Sequence, residues 1–103
     1  MGEPCIIALD EGTTGTRALL MDKAGRVVKQ AYRRLRVYYP RSGWVEQDPE
    51  EIWESTRAVL SEMIQEATAR SWDVVGMGIS NQRETAVLWD SQTGKPLHPA
   101  VVW

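Results

Sequence analysis

The stretch ALDEGTTGTRALL, residues 8–20, constrains the fold of this chain more than any other. A short apolar run, Cys5–Leu9, ends in the acidic pair Asp10-Glu11. The chain then crosses Gly12-Thr13-Thr14-Gly15-Thr16 and leaves through Arg17 into a second apolar run that closes at Met21. Two such runs joined by a short glycine-rich turn predict a hairpin, with the motif at its tip. A turn of this composition gathers backbone N–H groups and hydroxyls into one concavity, the arrangement by which proteins hold phosphate. Arg17 adds a fixed positive charge carrying a fork of donors. Asp10 would by itself repel phosphate, so its place there requires a divalent cation or the waters around one. The same residues also suit an ordinary turn in which the threonines bond their own backbone, and spacing alone leaves both readings open. Neither the G-x-x-x-x-G-K-[ST] loop nor the G-x-G-x-x-G fingerprint is present.

Beyond the hairpin, Asp22–Arg26 reads as a turn with Gly25 supplying a positive φ. Val27–Tyr38 alternates loosely and predicts an outer antiparallel strand with one wet face, completing a three-stranded meander. Tyr39–Gln47 reads as a loop broken by Pro40, Ser42 and Gly43. A helix start follows: Asp48 as N-cap, Pro49 in the first turn, Glu51 completing a capping-box pattern. Ile52, Trp53, Thr56, Val59, Leu60, Met63, Ile64 and Ala67 recur at helical spacing and predict one core-facing stripe. Val74–Ile79 reads as a strand in which Gly76 and Gly78 mark a close backbone approach. Ser80–Thr85 ends it, Ala86–Trp89 is a further short strand, Asp90–Pro96 a turn, and Ala100–Trp103 another strand. The chain stops inside this last apolar run, as a fragment of a larger domain would.

Composition narrows the classes of function. The 103 residues make one domain at most, 43% apolar and 25% charged with a net charge of −2, the profile of a soluble globular protein. Without a basic excess, no nucleic-acid partner is expected. Pro4 and Asp10 interrupt the first apolar run too early for a signal peptide or a membrane span, so no membrane partner is expected either. A single cysteine cannot form an internal disulfide and points to the cytoplasm. Cys5 itself reads as a small core residue. His98 falls in a loop, Trp44 is expected to pack against the helix start, and Arg33, Arg34 and Arg36 read as a solvated strand face.

ALDEGTTGTRALL resembles the first phosphate-binding hairpin of the actin-like ATPase fold. GWVEQDPEEIW (43–53), GISNQRETAVLWD (78–90) and AVVW (100–103) resemble, in that order, segments of the FGGY carbohydrate kinases, and the likeness covers essentially the whole chain. The resemblance implies an α/β actin-like ATPase (ribonuclease H-like) domain, here partial: the antiparallel meander, then a helix and further strands. It implies transfer of the γ-phosphoryl of ATP, with Mg2+, to glycerol or a similar polyol. Asp10 would organise the magnesium. Gly12, Thr13, Thr14 and Gly15 would line the phosphate loop, and Arg17 would sit near the transferred group. Arg83 and Glu84 would bind the polyol hydroxyls, and Trp103 would pack on its carbon backbone. Two positions depart from the pattern: Glu11 stands where such polyol kinases usually carry Gln, and Gly15 where they usually carry Ser. A kinase for another polyol or sugar is therefore the alternative. A non-catalytic actin-like assembly module is a further rival, although such a module has no use for an NQRET…W polyol site.

The resemblance also places the catalytic base and the adenine site beyond residue 103. The isolated residues are accordingly expected to be inactive and to self-associate through an uncovered apolar face, and the intact protein to be a homo-oligomer.

Overall fold

In the computed structural model, residues 2–102 are described. Strands β1 (Pro4–Glu11), β2 (Gly15–Met21) and β3 (Val27–Arg34) form the expected antiparallel meander. Their alternation places Cys5, Ile7 and Leu9 of β1 and Thr16, Ala18 and Leu20 of β2 on one buried face. The β2–β3 turn closes on Asp22, whose Oδ1 accepts the N–H groups of Ala24 and Arg26, both at 2.9 Å, while Gly25 takes φ 81°. The Arg26 N–H contributes most to holding the Asp22 carboxyl below the usual aspartate range.

Helix α1 (Pro49–Ala69) lies across the buried face and presents Thr56, Val59, Met63 and Ala67 to it. Asp48 caps it as expected, accepting the Glu50 N–H at 3.0 Å. The capping box is not completed: Glu51 Oε1 accepts the Arg36 N–H at 2.8 Å and so ties the exit of β3 to the helix. The core stripe is narrower than its sequence pattern. Trp53 is 56% exposed because it lies beside Val87, Trp89 and Pro96 rather than under the sheet, and Ile64 lies on the open flank of the helix.

The helix is the crossover to β5 (Asp73–Ser80), which runs parallel to β1 and completes the sheet order β3-β2-β1-β5. Its apolar run fits an inner strand, yet every residue is exposed, Val75 at 65% and Ile79 at 61%. A Cβ on Gly76 or Gly78 would meet nothing within 4 Å among the described residues, so no close neighbour there requires a glycine.

Three further expectations change. The segment read as a loop contains β4 (Val45–Gln47), which pairs antiparallel with β6 (Ala100–Val102), Gln47 opposite Ala100. The partner lies more than fifty residues away, so no local pattern signals it. Conversely, Ala86–Trp89 forms no strand, only the isolated bridges Ala86–Val101 and Trp89–Pro96 around the Asp90–Gly94 turn. Trp44 does not pack on the helix: it is half exposed, with the Arg41 guanidinium 5.0 Å over its ring. No helix among the described residues is long and apolar enough to cross a membrane.

Candidate functional site

The tip between β1 and β2 and the exit of β5 meet because β1 and β5 are parallel and in register, Asp10 opposite Ser80. Ligands of open α/β sheets collect at the carboxyl ends of such strands. Ser80 Oγ donates to Asp10 Oδ1 at 2.7 Å, so the carboxylate is oriented but keeps its other oxygen.

The hydrogen bonding of the tip is one-sided. Gly15 O accepts from Gly12 N at 3.0 Å and Thr14 O from Leu35 N at 3.0 Å. Thr13 O accepts from Gln47 Nε2 at 2.6 Å and Gly12 O from Gln82 Nε2 at 3.0 Å. Every carbonyl of residues 12–15 is thus engaged. The amides of Thr13 and Thr14 have no hydrogen-bond partner among the described residues. A tip with occupied acceptors and free donors attracts anions.

Asp10, Glu11, Gly12 and Thr13 line an open polar cleft of about 460 Å³ together with Asn81, Gln82, Arg83 and Glu84. The hairpin and the NQRET segment, read separately from sequence, therefore share one cleft. Arg83 and Glu84 occupy a turn past the end of β5, and Glu84 takes φ 58°, uncommon for a side chain of its kind. Glu84 also borders a second cleft of about 470 Å³ with Trp44, Glu46, His98, Val101 and Val102. Trp103 lies outside the described residues.

Arg17 does not line the first cleft. Buried Thr16 turns it to the open face of the sheet, in register with Asp10 on one side and Tyr32 on the other. Its guanidinium stacks 4.8 Å over the Tyr32 ring, and Nη1 donates to Gln30 Oε1 at 3.0 Å. Gly15, beside it, is sterically required: a Cβ there would meet the Tyr32 phenol and the Arg33 carbonyl oxygen. Tyr32 thus fills the space that a serine side chain at position 15 would need.

Glu11 is turned toward the helix. Thr56 Oγ1 lies 2.8 Å from both Glu11 Oε1 and Ile52 O. Burial pushes the Glu11 carboxyl up, the Thr56 hydrogen bond opposes this, and the charge of Asp10 adds to the rise. Sequence reasoning did not single out Ser80, Tyr32, Gln47 or Gln82. The two glutamines stood inside the quoted motifs GWVEQD and NQRET, but their partners are far away in the chain.

The profile of the "FGGY family of carbohydrate kinases, N-terminal domain" matches residues 5–103. The chain belongs to the FGGY family. Glycerol kinases of Synechocystis sp. and Rhodospirillum centenum are 50% and 49% identical to it, over 95% and 100% of this chain. The chain spans about one fifth of the length of these curated relatives. Among solved structures, Plasmodium falciparum glycerol kinase with ADP superposes with a TM-score of 0.92 at 32% identity, over 99% of this chain and 21% of that one. Xylulose kinase from Rhodospirillum rubrum superposes at 0.86 and 35% identity, over 95% and 20%. The expected α/β actin-like ATPase architecture of FGGY kinases is thereby borne out.

Proposed function

We propose that this FGGY chain supplies the first phosphate hairpin and part of the acceptor site of an ATP-dependent glycerol kinase. The observation that carries the reading is the tip in which residues 12–15 have every carbonyl occupied while the Thr13 and Thr14 amides are without a partner among the described residues, with Arg83 and Glu84 across the same cleft. The near-half identity to glycerol kinases supports glycerol as the acceptor.

Phosphoryl transfer depends on positioning and on stabilising charge, and the residues divide along those lines. The Thr13 and Thr14 amides and hydroxyls receive nucleotide phosphate oxygens. Arg17, held by Tyr32 and Gln30, offers the remaining guanidinium donors at the edge of the hairpin. A polyol presents hydroxyls that both donate and accept: Arg83 donates to them and Glu84 accepts from them, fixing both directions. Trp103 would cover the C–H face and limit access of water. The catalytic base and adenine site belong, in this reading, to the rest of the intact protein.

Among the described residues no three acidic, histidine or cysteine side chains gather as a metal cage. Magnesium keeps several waters and is often held by one or two carboxylates plus substrate phosphate. Asp10, with one oxygen oriented by Ser80, would hold the ion or its waters; magnesium bound with the nucleotide neutralises charge on the phosphate oxygens.

A kinase for another polyol or sugar is the second reading, favoured by the departure at Gly15 and by the likeness to the xylulose kinase. The test is Glu84→Ala in the intact protein. Losing a charged hydrogen bond should weaken use of glycerol at least about tenfold while ATP affinity changes little. Unchanged glycerol kinetics, or a clear preference for another compound in a polyol panel, refutes the assignment.

A further inference from the structure

We propose that Gln82 and Gln47 are positioning residues that aim the two free donors of the phosphate hairpin. The peptide unit is planar and trans, so the carbonyl of one residue and the N–H of the next point in opposite directions. Gln82 holds Gly12 O, whose peptide unit carries the Thr13 amide; Gln47 holds Thr13 O, whose unit carries the Thr14 amide. The two clamped units are the two whose amides lack a partner among the described residues. Rotating either unit would put a carbonyl where the donor stands, replacing attraction for an anion by repulsion. The glutamines oppose that rotation from two flanks.

Each clamp is itself held. Thr85 Oγ1 donates to Gln82 Oε1 at 2.9 Å, which leaves the Gln82 amide nitrogen for Gly12. Gln82 also immediately precedes Arg83 and Glu84, so one short segment carries both the acceptor-site pair and a clamp on the phosphate tip. Gln47 is 1% exposed at the end of β4, just before the helix cap, and its Oε1 is buried without a partner among the described residues. A buried amide with one unsatisfied end is a cost to the fold, and the bond to Thr13 O offsets it at the other end.

This inference rests on the phosphate reading of the hairpin. Its test is equilibrium binding of ADP with magnesium, and separately of glycerol, to the intact protein and to Gln82→Leu, Gln82→Glu and Gln47→Leu. Leucine keeps the bulk and removes the donor; glutamate replaces the donor by an acceptor facing a carbonyl. Losing the clamp should weaken ADP about three- to tenfold in Gln82→Leu, and more in Gln82→Glu, with glycerol affinity held within about twofold. Because Gln47 is buried, its variant is read only if it folds; the half-buried Gln82 decides the case. Unchanged ADP affinity in both Gln82 variants overturns the inference, as does an equal loss for ADP and glycerol, which would mark a merely structural role. Failure of the unsubstituted protein to bind ADP would overturn the phosphate reading together with it.

Discussion

Gly15→Ala should loosen the β1–β2 hairpin by a definite route. A Cβ at this position falls 2.6 Å from the Arg33 carbonyl oxygen and overlaps the Tyr32 phenol, where ordinary contact begins at 3.4 Å. Overpacking of this kind costs about 1–3 kcal/mol, and the upper half of the range applies because a ring and a backbone oxygen must both move. The two neighbours differ in how they can respond. Tyr32 is 44% exposed and its ring can swing outward, giving up its stacking with Arg17. Arg33 O can move only by opening the β2–β3 ladder. In a Tyr32→Ala background the same substitution should therefore cost about 1 kcal/mol less, the sign of a shared contact in a double-mutant cycle. The readout is native-state hydrogen exchange of β2 and β3 amides, since local opening need not follow global unfolding. A loss of about 2–3 kcal/mol corresponds to protection roughly 30- to 150-fold lower in Gly15→Ala. Full protection in that variant, or an identical loss in both backgrounds, would refute the steric argument and with it the account of why glycine stands at this position.

Burial, with the charge of Asp73 adding to it, pushes the Cys5 thiol above its ordinary pKa, so a thiol reagent at pH 8 should label it slowly in the native protein and rapidly after denaturation; fast native labelling would contradict its core placement. The Asp22 carboxyl is held low by the Arg26 N–H, so its contribution to the β2–β3 turn is fully present above the usual aspartate value of about 3.9 and is lost as pH falls through its lower folded value. Exchange protection of the turn should decline with acid in the parent protein but stay flat over that window in Asp22→Ala; parallel profiles would refute the assignment.

The meander, the Asp22 turn and the start of the helix were legible in the sequence because their determinants are local. Alternation over a few residues buries Cys5, Ile7 and Leu9 together, and Asp48 caps a helix whose N–H groups lie two residues away. The hairpin was legible as well, as a turn able to hold an anion or as an ordinary one. The contacts that favour the first reading come from outside it. Gln47 and Gln82 reach Thr13 and Gly12 across 34 and 70 residues, and no spacing rule connects them. The pairing of β4 with β6, the isolated bridges that replace a strand at Ala86–Trp89, and the stacking of Arg17 on Tyr32 are of the same kind. So is the narrowed helix stripe: Trp53 satisfies the periodicity, but only the position of the sheet decides which turns of the helix are covered. Sequence determined which backbone segments could form and which donors and carboxylates were present. The tertiary structure decided which carbonyls those donors occupy, and hence which amides the hairpin leaves free, because a hydrogen bond depends on distance in space and not on separation along the chain.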